Sequence, residues 1–471
     1  MKQPARREFI RSVLQSCGAL ATYGAAGKLH GASANTSVPA GLEWREEKKV
    51  NPYDLQNLRS DEEVLSEARE RIEEVRKGHF SIRMLREDGR PLARTQLQIR
   101  QKDHTVDWGY SVAGSKAKMN LDERSRSRDR HFAKLFDCTT AKCYWNERWH
   151  QPIEQEQGIR VYDRFLDEVE WAKALGLKVK GHPLVWTVSK AIPKWLFGYD
   201  YARQVEFLRQ HVESLVEVGG SKVEMWDLCN EMLWEPAFRN IAKRSWPHLD
   251  PIPDIAEYIA QAFRWARESN DQALYSLNDY GLVYTNRQDI SAHQQRMRYL
   301  ELAEELKRLG VQPDAIGCQA HIGGKFKLDA FRKAIDELAQ SRLPVQITEF
   351  WSKEKDFSHL REDPSELEKA LANYVCSIYT VAFSHPSVSH FTYWGGDQFF
   401  DQNGEPTLLY RKLHDLIKGQ WTTRLTASTD DQGKLSFVGF KGNYQLLASD
   451  GSFDARSIDL SSDVRATVRI L

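Results

Sequence analysis

Two apolar runs in this chain end on glutamate: Trp226-Asp227-Leu228-Cys229-Asn230-Glu231 and Val345-Gln346-Ile347-Thr348-Glu349. Two carboxyl groups facing one pocket are what glycoside hydrolysis requires. One, with a raised pKa, protonates the leaving oxygen, and the other, kept ionised, attacks carbon or activates water. A glutamate taken alone is as readily an ion-pair partner, so the neighbours matter. Asn230, just before Glu231, can reach a sugar 2-hydroxyl, a contact that strengthens in the transition state. His321, in Gln319-Ala320-His321, can hydrogen-bond a carboxylate and orient it, though a histidine there is equally at home as a satisfied core residue. His182 and Trp186, in Gly181-His182-Pro183-Leu184-Val185-Trp186, and Trp394, after Tyr393, add polar and stacking groups. No metal or cofactor is expected. Cys17 falls near the N-terminus, and Cys138, Cys143, Cys229, Cys318 and Cys376 lack C-x-x-C spacing, so neither a zinc site nor a disulfide framework is implied.

The elements that must position these residues repeat as strand then helix. Strand-like runs fall at 106–112, 138–145, 179–186, 223–230, 273–278, 315–321, 345–349 and 388–394, and helical runs between them at 160–175, 202–218, 255–269, 291–309, 328–339 and 365–383. Eight such units predict an α/β fold, a (β/α)8 TIM barrel over residues 105–421, whose catalytic groups sit at the C-terminal ends of the strands. An open doubly wound sheet is the alternative, but it would carry a Gly-rich turn after its first strand, and none is present.

The flanks differ in pattern. Residues 61–104 read as an amphipathic helix followed by period-two runs around Asp88-Gly89, and 422–471 as short strands around Asp431-Gln432-Gly433 and Lys441-Gly442-Asn443. Each flank alone has too few strands to hide its apolar face, so both are predicted to join in a small accessory β-sandwich. Residues 35–60, polar and without periodicity, read as a linker. Residues 1–34, with Arg6-Arg7, a weakly apolar stretch and Ala32-Ser33-Ala34, have the layout of a twin-arginine export signal, which implies a periplasmic or secreted protein. No other run is long enough to span a membrane. Sixty-six basic residues balance 66 acidic ones, so no summed field recruits nucleic acid or an anionic membrane. A neutral polysaccharide or oligosaccharide partner, bound by a monomer rich in Trp and Tyr, fits better.

The six segments Gly181–Trp186, Trp226–Glu231, Asn278-Asp279-Tyr280, Gln319-Ala320-His321, Ile347-Thr348-Glu349-Phe350 and Tyr393-Trp394-Gly395 occur in an order that resembles glycoside hydrolase family 10. That resemblance implies a barrel of retaining enzymes, mostly endo-β-1,4-xylanases. It implies Glu231 as acid/base and Glu349 as nucleophile. Asn230 would contact the sugar 2-hydroxyl, Gln319 and His321 would surround the nucleophile, His182 and Trp186 would wall the sugar site, and Trp394 would be its floor.

The segment departs from the family pattern in two places. The family's Glu-Asn-x-x-Lys-Trp after the second strand appears here as Tyr144-Trp145-Asn146-Glu147-Arg148-Trp149, and the second tryptophan after Trp-Gly is replaced near 396–400. Trp145 or Trp149 is therefore expected to wall the non-reducing side of the cleft, with Arg148 beside it as a further substrate contact, the alternative being that both tryptophans point into the barrel shell as core. The readings left open are a xylanase, a hydrolase of another or decorated β-glycoside, and a non-catalytic carbohydrate-binding barrel.

Overall fold

The computed structural model describes residues 50–111, 122–146, 151–242, 249–395, 398–449, 451, 453, 455–462 and 464–469. The expected export signal and most of the expected linker lie outside them. From residue 50 the supposed linker is docked instead. The buried Asn51 amide donates to the carbonyls of Arg287 (2.7 Å) and Ile290 (3.1 Å), and Asp54 accepts the backbone N–H groups of Thr285 and Ala292, each at 2.8 Å. Polar composition is compatible with either role, and only the partners decide.

Helix α1 (Asp61–Arg76) opens on a capping box in which Ser60 and Glu63 satisfy each other's backbone N–H groups. Strands β1 (Lys77–Leu85) and β2 (Gln96–His104) follow, but they do not pair with each other. The turn at Asp88-Gly89, where Gly89 adopts φ 80°, sends the chain from one sheet to another.

The barrel then runs β3 (Asp107–Ser111), β4 (Cys138–Lys142), β5 (Lys178–His182) continued by β6 (Val185–Trp186), β7 (Met225–Asn230), β8 (Leu274–Asp279), β9 (Ala315–Cys318), β10 (Val345–Phe350) and β11 (Val388–Trp394). All neighbouring barrel strands pair in parallel, and β11 on β3 together with β5 on β7 closes the cylinder into eight positions. Between strands lie α2 (Glu123–Leu135), α3 (Asp163–Ala174), α4 (Tyr201–Gly219), α5 (Ile252–Ser269), α6 (Ala292–Arg308), α7 (Leu328–Leu338) and α8 (Pro364–Phe383), with α9 (Leu408–His414) last.

Three strands that make the site end earlier than hydropathy suggested, β4 at Lys142 and two others where the backbone itself breaks the ladder. Pro183, with no N–H to give the ladder, separates β5 from β6, and Ala320, left-handed at φ 53°, turns Gln319 and His321 out of β9. Helix α2 was not among the expected helices because it is mostly charged, with Phe132 and Leu135 its only large buried apolar residues.

After the barrel, β12 (Arg424–Ser428), β13 (Lys434–Phe440), β14 (Gly442–Ala448), β15 (Arg456–Leu460) and β16 (Val464–Arg469) meet the N-terminal strands. One sheet is ordered β13-β1-β16 and the other β12-β2-β14-β15. Phe80, Ile82 and Met84 of β1 point at Leu97 and Ile99 of β2 and Tyr444 and Leu446 of β14, so the two flanks share one apolar core. Arg76, at the end of α1, ties this unit to the barrel. Its buried guanidinium donates to the carbonyls of Phe383 (2.6 Å), His385 (2.5 Å) and Val388 (2.9 Å).

Candidate active site

Glu231 follows directly on β7 and has φ 61°, a left-handed conformation that costs roughly 1–3 kcal/mol in a non-glycine residue and persists only where its surroundings impose it. Its backbone N–H donates to Asn278 at the end of β8 (2.8 Å), which turns the side chain into the barrel mouth. Glu349 extends straight from β10 and is buried.

Three amides connect the two carboxylates. Asn278 Nδ2 donates to Glu349 Oε1 (2.8 Å) and to Asn230 Oδ1 (2.9 Å), while Gln319 Nε2 donates to the same Asn230 Oδ1 (3.1 Å) and to Glu231 Oε1 (3.2 Å). With two donors on its oxygen, Asn230 is held in one amide orientation, its NH2 group remaining as the donor end. His321 Nε2 lies 2.7 Å from Gln319 Oε1 and 3.4 Å from Glu349 Oε2, and Trp186 Nε1 donates to Glu231 Oε2 (2.8 Å).

These surroundings drive the two carboxyls apart. Burial, and then the negative charge of Glu349, push Glu231 above the ordinary glutamate value. Burial alone would raise Glu349 too, but the His321 hydrogen bond, the fields of His182 and His321, and the Asn278 bond outweigh it and hold Glu349 below that value. One group is thus suited to carry a proton and the other to remain a nucleophilic anion.

Beneath the pair runs a buried ionic layer. Asp227 meets Lys180 Nζ at 2.6 Å and His182 Nδ1 at 2.8 Å, while Lys180 Nζ also donates to Gln346 (2.8 Å). Burial opposes ionisation of Asp227, yet Lys180 and His182 bring it down to about 2. The carboxylate anchors His182 through Nδ1, which leaves Nε2 as the free edge of the ring. Trp394 stands edge-on to His182 with ring centroids 5.2 Å apart.

Glu231, Glu349, His182, Trp186, Asn230, Gln319, His321 and Trp394 therefore meet at one end of the barrel. Trp145 does not join them, which corrects the expected cleft wall. It is 5 % exposed, stacks on His211 of α4 at 4.4 Å and 10°, meets Trp195 edge-on, and donates Nε1 to Glu154 (3.3 Å). It is part of the shell behind the site. The physical reason is that β4 ends at Lys142, so the following residues leave strand alternation, and an indole with an apolar slot available is buried there. Arg148, like Trp149, lies outside the described residues.

Sequence reasoning passed over Tyr144, Lys142 and Asn278. Tyr144 stands edge-on to His182 (5.7 Å) and 5.5 Å from Trp186, making it an aromatic that the chain after β4 turns toward the site. Buried Lys142 has its ammonium 4.9 Å from the Trp394 ring centre and hydrogen-bonded to Ser111. Asn278 had a signal, since it ends a strand run inside one of the quoted segments. Among the described residues no cluster of His, Cys, Asp and Glu could hold a metal ion.

Residues 102–404 match the family described as Glycosyl hydrolase family 10. Over 395 residues the chain is 25% identical to the anti-sigma-I factor RsgI6 of Acetivibrio thermocellus, covering 82% of this chain and 46% of that protein. It is 26% identical to endo-1,4-beta-xylanase B of Thermotoga neapolitana, covering 58% and 79% respectively. The chain thus spans less than half the length of RsgI6, and one third of endo-1,4-beta-xylanase 2 of Arabidopsis thaliana. Among solved structures, xylanase 10B from Thermotoga petrophila in complex with xylobiose superposes with a TM-score of 0.51 at 21% identity, over 67% of this chain and 94% of that one. Native xylanase 10B from Thermotoga maritima does so with a TM-score of 0.52 at 21% identity, over 67% and 95%. The family match over most of the chain, on a closed eight-stranded barrel, establishes that this protein belongs to glycosyl hydrolase family 10.

Proposed function

We propose that the chain hydrolyses β-1,4-linked xylan or xylo-oligosaccharides with retention of anomeric configuration. The observation that carries the reading is the pair Glu231 and Glu349, joined through Asn278, Asn230 and Gln319 and shifted in opposite directions.

In the first step Glu349 Oε attacks the anomeric carbon while the bond to the leaving oxygen breaks and takes the proton of Glu231. The product is a glycosyl ester of Glu349. In the second step water attacks the same carbon, gives its proton to Glu231, and frees Glu349. The Asn230 amide is the donor for the sugar 2-hydroxyl, and Trp394, Trp186 and Tyr144 supply the faces against which the ring stacks. The names of the similar xylanases support xylan as substrate. A second reading, a shorter or decorated β-glycoside, is favoured by Tyr144, which stands 5.5 Å from Trp186 in the segment after β4 that departs from the family pattern, and by the Lys142 ammonium at the end of β4, 4.9 Å from the Trp394 ring centre.

The export layout of residues 1–34 supports action outside the cytoplasm. No helix of the described residues is long and apolar enough to cross a membrane. The deciding experiment is proton NMR of freshly released products from xylan, from xylo-oligosaccharides and from other β-glycans. Initial release of the β-anomer from xylan is expected. Initial release of the α-anomer would overturn the mechanism, and turnover confined to another glycan would overturn the substrate.

A further inference from the structure

We propose that Asp279 is a positioning residue for Glu231, holding in place the left-handed turn that carries this carboxyl into the barrel mouth. The inference rests on the hydrolytic reading above and deepens it. Asp279 ends β8 and is fully buried. Its Oδ2 accepts the backbone N–H of Leu233 and its Oδ1 that of Tyr280, both at 2.8 Å. Leu233 lies two residues past Glu231 in a turn closed by the N–H groups of Trp234 (3.2 Å) and Glu235 (3.0 Å), both donating to the Glu231 carbonyl. Asp279 therefore staples the middle of this turn to the end of the neighbouring strand.

The same turn is fastened on its other side. Trp234 Nε1 donates to the Tyr280 carbonyl (2.8 Å), and its ring stacks on Tyr280 at 5.5 Å and 20°. Gly281, left-handed at φ 68°, lies so close that a Cβ would stand 2.8 Å from the Trp234 ring. A glutamate at φ 61° has easier conformations open to it, so it faces the scissile oxygen only while these fastenings hold. The carboxylate is also an unusual choice for a purely structural bond. Burial, set only partly against its two backbone donors, drives Asp279 far above the ordinary aspartate value. Glu231 and Glu235 stand near enough to oppose its charge further, and no ion pair to it is found among the described residues. What the carboxyl contributes is therefore its two backbone bonds, which fix the position of the turn.

The test compares the unaltered chain with Asp279→Asn, which keeps the shape but can accept only one of the two N–H groups. General-acid help matters for a poor leaving group and little for a good one. A misplaced Glu231 therefore lowers kcat/KM for unactivated xylo-oligosaccharides by about 10–100-fold. It leaves kcat/KM for a 2,4-dinitrophenyl xylobioside within about threefold. Trp234→Phe removes the indole bond to the Tyr280 carbonyl and part of the ring packed on Tyr280 while leaving both Asp279 bonds, and should shift the same ratio less, which keeps the proposal open to test should Asp279→Asn fold poorly. Equal falls on both substrates, or no fall on either, would overturn the positioning role while leaving the hydrolytic reading intact. Absence of hydrolysis by the unaltered chain overturns both.

Discussion

In the β-sandwich, alternate residues of β1 turn inward, Phe80, Ile82 and Met84, and meet apolar partners with no charge among them, while His79 and Arg83 face water. At the barrel mouth the inward positions hold Glu231, Glu349, Asp227, Lys180, His182, Asn278 and Gln319, and each is satisfied by another polar group. The sandwich gains stability from area removed from water, about 25 cal/mol per Å2. The mouth gains little from its buried charges, because desolvation cancels much of their attraction, and it holds Glu231 and Ala320 in left-handed backbone besides. Stability in this molecule resides in regions where reactivity does not, and substitutions should separate the two.

The largest effect is expected at Glu349. Glu349→Ala should lower kcat on the order of 10^4–10^6-fold, as loss of a nucleophile does, with thermal unfolding close to that of the unaltered chain. A matching collapse of Tm would show that the mouth is structural after all.

Glu231→Gln comes next. Turnover requires Glu231 protonated and Glu349 ionised, so the raised value of Glu231 sets the alkaline limb of the pH–rate curve and the lowered value of Glu349 the acid limb. The substitution should cost about 10^2–10^4-fold on unactivated glycosides and abolish the alkaline limb while keeping the acid one. An alkaline limb that survives assigns the proton to another group.

Ile82→Ala in the sandwich core should destabilise by about 2–5 kcal/mol through lost burial and the cavity left behind, visible in denaturant unfolding, with kcat/KM unchanged at a temperature where the protein is folded. A parallel loss of kcat/KM would mean that the sandwich shapes the site.

The smallest effect on function belongs to Trp145. Trp145→Phe should lower stability by removing the Glu154 bond and part of the stack on His211, yet leave the ratio of kcat/KM for xylan and for short aryl glycosides unaltered. A changed ratio would return Trp145 to the cleft.

The barrel was legible in the sequence because period-two and helical periodicities alternate eight times, and because residues that end strands must emerge at one face. Glu231, Glu349, Asn230, Gln319, His321, His182, Trp186 and Trp394 stand at or beside such strand ends, and the order of their six segments singled them out there. Trp145 against Tyr144 was a different matter. Adjacent aromatics beyond a strand end carry no alternation to say which one faces the site, and the slot against His211 that takes the Trp145 ring is built by α4, some 60 residues further on. Residues 50–60 look like linker for a similar reason, since Asn51 and Asp54 are polar in either role until Thr285, Ile290 and Ala292 are placed beside them.

Local chemistry along the chain thus determined the elements, their order and which carboxyls stand at strand ends. Tertiary structure alone decided the rest. The opposite pKa shifts of Glu231 and Glu349 come from burial, from the charge of Glu349 acting on Glu231, and from histidines and amides brought in by other strands. The left-handed turn at Glu231 is held by Asp279 and the Tyr280 carbonyl from across a strand boundary. The flanking segments find one apolar core although the whole barrel separates them in sequence. Each is a through-space property, set by distance and dielectric between groups remote along the chain, to which no local pattern of residues is sensitive.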